Sequence, residues 1–282
     1  MRTNRLITIS LISLLALLTT VAGCNINIGG WGPREKFERT VQLSAALQAG
    51  SAFAAKTHNG SITINGSDVS DCNLTATIIA RANSEEDAQR LAEQTKIKLQ
   101  SSGKTLTARI TKPLLITNQS IGVSFNVTLP NSTDLELNTH NGAVKIANIT
   151  GNTKATTHNG KINASQISGR TELKTHNGSI SCGQISGNTK LQTHNGGINA
   201  VYCESAPSVC DVSLETHNGS ISFKAPPNFS AKVQTSTHNG SIKTDLPITV
   251  IGKLSKTSLS GTIGSGQGKL HLKTHNGSIK IK

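Results

Sequence analysis

Thr139-His140-Asn141-Gly142, Thr157-His158-Asn159-Gly160, Thr175-His176-Asn177-Gly178 and Thr193-His194-Asn195-Gly196 follow one another at intervals of 18 residues. The same motif also begins at Thr57, Thr216, Thr237 and Thr274, making eight copies. A fixed short period marks a chain that stacks like units, each burying its apolar face against the next.

Working outward from the motif Thr, the residue two places before it is Ala55, Leu137, Ala155, Leu173, Leu191, Leu214, Thr235 or Leu272. The residue five places after it is Ile62, Val144, Ile162, Ile180, Ile198, Ile221, Ile242 or Ile279. This second column is wholly β-branched and apolar, which suits a pleated strand with one buried face. Apolar and polar residues alternate around it, as in Ser179-Ile180-Ser181-Cys182, and period 2 predicts strand. Asn-Gly supplies a turn through its tolerance of positive φ. A second turn follows half a period later, at Ile149-Thr150-Gly151-Asn152, Ile167-Ser168-Gly169-Arg170 and Ile185-Ser186-Gly187-Asn188.

Two architectures accommodate two strands and two turns per unit. Asn-Gly between alternating strands is a hairpin signal, so an antiparallel meander is one. A meander, however, leaves its apolar face uncovered. A coil that turns back at each motif encloses that face and stacks Ile on Ile and Asn on Asn. The expected fold is therefore mainly β, a β-solenoid resembling a parallel β-helix with about 18 residues per coil. Uneven intervals read as insertions or degenerate coils: five extra residues between Thr193 and Thr216, and a worn copy at Lys256–Ile263. The 82 residues from Thr57 to Thr139 hold something different. Ser84 with Glu85, Glu86 and Asp87 reads as a helix start, and Ala88, Leu91, Ala92 and Thr95 share a helical face. Strand-like runs lie at Leu74–Ala80, Lys104–Ile110 and Val123–Leu129. This segment is expected to cap the open end of the solenoid.

Arg2 and Arg5 precede an apolar stretch from Leu6 to Val21, the layout of a secretory leader. The stretch is too short and too broken by Thr19 and Thr20 for a membrane span. The run Val21-Ala22-Gly23-Cys24 resembles the lipobox of bacterial lipoproteins, which implies acylation of Cys24 and a stable lipid anchor. Asn25 in place of Asp implies the outer membrane for a Gram-negative source. The expected organisation is a leader at 1–23, a tether at 24–37, N-terminal strands and a capping helix at 38–135, and solenoid repeats at 136–282.

The chain counts 28 Lys and Arg against 15 Asp and Glu; without Arg2 and Arg5 this is 26 − 15, or +11. Basic charge favours anionic surfaces, although outward Lys also keeps strand edges soluble. Nucleic acid is not expected as a partner, because one Trp, one Tyr and five Phe give few stacking platforms. Cys72, Cys182, Cys203 and Cys210 remain beyond Cys24. Cys203 and Cys210 bracket the five-residue insertion and form the candidate disulfide. Cys182 stands where other coils place Ile64, Ile146, Ala164 and Ala200, a core position.

Eight of nine His lie in the motif and would form a column. Imidazole is a metal ligand and a pH switch. Parity places His outward with Lys174 and Gln192, while Leu, Thr and Asn share the opposite face. An outward column arises from repeat duplication alone, and no orienting partners for a metal are identifiable, so no metal or other cofactor is expected. The Asn column suits an amide ladder. Inward Thr argues against an ice-binding array. Catalytic residues are not expected: from residue 138 the acids are Glu172, Glu204, Asp211, Glu215 and Asp245, with no repeated coil position among neighbours.

Several features together resemble the bacterial β-strand-repeat domain family catalogued as candidate adhesins, a family of unknown function. These are the strand ending in Asn-Gly (Lys56 to Ile64), the Ser-Glu-Glu-Asp-Ala segment (Ser84 to Ala88), the strand ending in Leu-Pro (Asn126 to Pro130), and the repeated Thr-x-Asn-Gly-x-Ile units. The resemblance spans about residues 40–282. It implies the fold and a membrane-anchored adhesin or binding scaffold, whose partner is an envelope polysaccharide or protein. It transfers no site residue, and the uniform His is this chain's own departure. A metal- or pH-responsive envelope protein using the His column is the alternative, and a carbohydrate-active enzyme a remote one.

Overall fold

The computed structural model describes residues 18–19, 35–250 and 255–282. Cys24, the glycine-rich run to Pro33 and most of the expected leader lie outside the described residues. The first part of the chain runs β1 (Leu18–Thr19), β2 (Glu35–Ala46), β3 (Ala52–Lys56), β4 (Ile62–Ser67), β5 (Asp71–Ala82), α1 (Glu85–Gln94), β6 (Lys96–Ser102), β7 (Thr105–Thr111) and β8 (Ser120–Pro130). Strand β2 opens at Glu35, so the last residues assigned to the tether, Glu35 to Phe37, are strand.

The repeats continue as β9 (Asp134–Asn141), β10 (Val144–Ile149), β11 (Thr153–Asn159), β12 (Ile162–Ile167), β13 (Thr171–Lys174), β14 (Ile180–Ile185), β15 (Thr189–Asn195), β16 (Ile198–Tyr202), β17 (Asp211–Asn218) and β18 (Ile221–Lys224). Each coil gives one strand to each of two twelve-stranded sheets and changes sheet at His-Asn-Gly. Coils pair in parallel and in register: Ile162 lies beside Ile180 and Ile180 beside Ile198. On the other sheet Leu137, Ala155, Leu173, Leu191 and Leu214 form the matching row. Both rows are buried and face each other across one core. Each fully enclosed aliphatic contributes roughly 1.5–3 kcal/mol. The β-solenoid expected from the period is the fold, and the antiparallel meander is not.

The motif residues hold coil to coil. The Thr hydroxyls point inward and donate to a glycine carbonyl one coil away: Thr157 to Gly142 at 2.9 Å, Thr175 to Gly160 at 2.9 Å, Thr193 to Gly178 at 2.7 Å. The Asn amides form the expected ladder, Asn159 donating to Asn141 at 2.8 Å and Asn177 to Asn159 at 2.7 Å. The glycine has a second reason beyond the one the turn argument gives. None of the motif Asn residues has positive φ, although the motif glycines Gly60, Gly196 and Gly277 do; elsewhere in the repeats that conformation falls on Asn148, Gln166 and Gln184, just before the second turn. The motif glycine is needed because a Cβ on Gly160, Gly178 or Gly219 would collide with the motif glycine carbonyl of the neighbouring coil.

The N-terminal segment caps one end. β2 pairs antiparallel with β5, β5 antiparallel with β8, and β8 parallel with β4. On the other sheet β6 pairs antiparallel with β7, which lies parallel to β3. Helix α1 packs on β2 and β5, with Ala88, Leu91 and Ala92 buried. Its N-cap is Ser84, whose hydroxyl accepts from Asp87 N–H at 3.2 Å. The coil of β3 and β4 stacks directly on that of β9 and β10, so the solenoid begins before residue 136 and runs through the expected division.

The C-terminal end departs from the expected order. The chain finishes with β19 (Ala231–Ser236), β20 (Ile242–Thr244), β21 (Thr249–Val250), β22 (Ser258–Ile263), β23 (Gly268–Asn276) and β24 (Ile279–Ile281). The last coil, β23 with β24, lies between the Thr216 coil and the Thr237 coil. The run Lys256–Ile263 is not a worn coil: its strand β22 pairs antiparallel with β19 and with β21 at the edge of the stack.

Candidate functional site: the histidine groove

The turn from one sheet to the other projects the motif His outward, as parity predicts. In stacking order the rings are His58, His140, His158, His176, His194, His217, His275 and His238, with neighbouring centroids 4.7–4.8 Å apart. This spacing is the strand spacing itself. The residue before each Thr flanks the ladder: Asn138, Thr156, Lys174, Gln192, Glu215, Lys273 and Ser236 stand in adjacent coils. Ladder and flanking row line one elongated groove of about 1030 Å³ that crosses seven coils, from His140 to His238.

The ladder is not uniform. Rings on either side of His176 stack nearly parallel, but His176 is turned by 57° to His158 and by 60° to His194. Its Nδ1 is shielded from water and has no hydrogen-bond partner. Partial burial first, then His158, His194 and Lys174, hold its pKa below the usual imidazole value. His275 is lowered likewise, by partial burial and then by His238 and His217. Glu215 is the one acid of the flanking row; it accepts from Gln192 at 3.3 Å and lies 3.8 Å from the ninth His, His271.

Ring stacking sets what the column can do chemically. The lone pair of a neutral imidazole lies in its ring plane, whereas the neighbouring ring is above or below that plane. Nitrogens on parallel rings 4.8 Å apart are too widely spaced to share an ion at the usual Zn–N distance of about 2.0–2.1 Å. Among the described residues no group of three His, Cys, Asp or Glu is placed to hold a metal ion. The groove instead offers ring edges, amides and ammonium groups repeated along a line.

The other sequence-derived positions lie apart from the groove. Cys182 is buried in the row with Ala164 and Ala200. Cys203 and Cys210 bracket the insertion loop as free thiols: Cys203 Sγ is 3.4 Å from Ser205 Oγ, and Cys210 Sγ donates to Pro207 O at 3.2 Å. The groove is not legible in the sequence because its flanking row shares no residue type; the position preceding each Thr is the signal that carries it.

The comparison with curated proteins gave no match. Among solved structures, the chain is similar to a candidate adhesin from Bacteroides fragilis, with 12% identity, 90% of this chain and 100% of that chain covered, and a TM-score of 0.46. It is also similar to a candidate cell adhesion protein from Clostridium sporogenes, with 13% identity, 86% and 98% covered, and a TM-score of 0.37. A third, a candidate lipid-binding protein from Parabacteroides distasonis, has 11% identity, 89% and 98% covered, and a TM-score of 0.34. The family model Toastrack DUF4097 matches residues 52–282, which is most of the chain, and the protein belongs to that family of unknown function.

Proposed function

We propose that this protein is a cell-envelope lipoprotein, anchored through acylated Cys24, whose solenoid is a binding scaffold of the adhesin kind. The observation that carries the binding role is the groove along the His ladder. Its His wall repeats at strand spacing, so a linear polymer lying along it meets an equivalent ring edge coil after coil. Weak contacts of this kind add through multiplicity rather than through one deep pocket. An envelope polysaccharide, or an extended peptide, has that form. The flanking Lys174 and Lys273 favour an acidic polymer. The scattered acids of the repeats give no paired carboxylates for hydrolysis, which supports binding over catalysis. The leader, the lipobox-like run and Asn25 support the envelope location, on the outer membrane for a Gram-negative source.

Binding of the mature protein to acidic and neutral polysaccharides, measured by biolayer interferometry, tests the groove. Lys174→Glu with Lys273→Glu should weaken an acidic polymer at least tenfold, while Lys145→Glu on the outer face of the other sheet should not. Equal loss from both variants, or no binding to any polymer, would sink the groove reading. Mass spectrometry of the mature N-terminus tests the anchor separately; an unmodified chain beginning elsewhere ends it.

The pH-responsive alternative is favoured by one observation, the closeness of the rings. Imidazoles at 4.7–4.8 Å repel one another when charged, so any proton taken up by the ladder is felt by the neighbouring rings.

A further inference from the structure

The loop between β7 and β8 exposes three consecutive large aliphatic side chains. Leu114 is 95% exposed, Ile116 72% and Leu115 41%. Elsewhere such residues appear exposed only singly, at Val69, Val209 and Val250 among the described residues. The loop is not shapeless. Gln119 N–H donates to Ile116 O at 3.2 Å, Ile116 N–H donates to Gln119 Oε1 at 3.2 Å, and Asn118 takes a positive φ of 63°. These bonds close the turn between Ile116 and Gln119, and the aliphatic tip stands away from the core.

The register says what lies beside it. In the capping sheet Lys36 pairs with Arg81, and Arg81 with Ser120, the first residue after the loop. The loop therefore springs from the same margin of the sheet at which the chain arrives from the N-terminal tether. Two strand spacings, about 10 Å, separate Lys36 from Ser120. Arg81, which pairs with Ser120, and Lys112, two residues before Leu114, are both exposed and bring positive charge to the two ends of the loop, with Glu35 at the same margin.

We propose that Leu114, Leu115 and Ile116 form a membrane-inserting finger that enters the lipid surface to which the chain is anchored, with Arg81 and Lys112 at the headgroups. The inference rests on the proposed acylation of Cys24. Only some ten residues separate Cys24 from Glu35, so the margin that carries the loop is held close to the bilayer. One anchor confines the protein to the membrane; a second apolar contact fixes how it stands there.

The test uses the acylated protein with its single Trp removed, Trp31→Phe, and a reporter at Ile116→Trp or, at the far end of the stack, Val250→Trp. Each is reconstituted in phosphatidylethanolamine–phosphatidylglycerol vesicles with plain or brominated acyl chains. Ile116→Trp emission should shift to the blue and be quenched at least about twofold by the brominated lipid, and Val250→Trp should not. Equal quenching at both positions overturns the proposal. So does a blue shift that needs no vesicles and grows with protein concentration, because the loop then meets a second copy. The anchor is read independently from the N-terminal mass. If Cys24 proves unmodified, the chain begun at Asn25, which keeps the entire described core, takes over the test by vesicle sedimentation. Leu114→Ser with Ile116→Ser should then lower the bound fraction at least about tenfold. An unchanged fraction refutes the finger whatever the fate of Cys24.

Discussion

Asn239 donates its side-chain amide to Asn276 at 2.7 Å, and Asn276 in turn donates to Asn218 at 2.7 Å, so the last motif in the chain is the penultimate rung of the ladder. The chain leaves a gap one coil wide after Asn218, builds the end coil first, and returns to fill the gap. The coil of β23 and β24 is thereby held between two others instead of fraying at the end of the stack. Neighbouring rungs stand within disulfide reach, while rungs two apart do not. Asn239→Cys should cross-link with Asn276→Cys under mild oxidation and fail to do so with Asn218→Cys. Cross-linking of the second pair instead, read by the shift of a tryptic fragment, would restore the serial order.

Two glycines in the same coil separate the roles of that residue. A Cβ on Gly178 meets the Gly160 carbonyl, and both belong to backbones that cannot retreat without breaking the stack; around Gly183 there is open space. Gly178→Ala should cost about 1–3 kcal/mol or more. Gly183→Ala should be neutral or stabilise by about 0.5 kcal/mol through the unfolded chain. Urea unfolding of the two variants measures both; equal midpoints would mean that coil spacing does not depend on the motif glycine.

The period exposed the Ile row and the Asn ladder because each is one residue type at one coil position. What it could not expose is the order of the coils. Val212, Leu270 and Val233 are equally good neighbours, and Asn218 presents the same amide to Asn239 as to Asn276, so identical rungs carry no label for sequence position. Lys256–Ile263 kept the alternation of a coil but not its His-Asn-Gly corner, and without that corner nothing forces the parallel return; β22 pairs antiparallel instead. The exposed loop tip is hidden in the sequence for another reason. Pro113-Leu114-Leu115-Ile116 is apolar, and apolarity by itself does not distinguish a core strand from an exposed tip.

Acid should destabilise the fold through the ladder. The folded pKa values of His176 and His275 lie below the ordinary imidazole value, so the unfolded chain takes up protons first as the pH falls. The stability these residues contribute is present above about pH 6.5 and is lost as the pH falls toward their folded values. After burial, the groups that lower them are His158, His194 and Lys174 around the first and His238 and His217 around the second. Melting temperature should be level from pH 8 to 7 and decline below 6.5. In His176→Asn with His275→Asn the decline should be shallower. An unchanged slope in the double variant would place the acid sensitivity outside the ladder.

The thiols should divide by burial. Burial pushes Cys72 and Cys182 up to about 12, leaving roughly a thousandfold less thiolate than an ordinary cysteine at the same pH. Cys210 is raised too, by burial first and then by Asp211 and Cys203. Cys203 is half-exposed at the mouth of the insertion loop. With reductant present at pH 8, iodoacetamide should therefore modify Cys203 first in the native protein and reach Cys72 and Cys182 only after unfolding, as peptide mapping will show. The same experiment decides the candidate pair in protein isolated from an oxidising envelope. If Cys203 and Cys210 have closed the loop between them, Cys203 will resist alkylation until reductant is added, and the native mass will be two units lower. Full alkylation of Cys203 without reductant removes the disulfide and leaves the loop held by its backbone, through Cys203 N–H to Ile185 O at 3.0 Å and Ser230 N–H to Ser208 O at 2.8 Å.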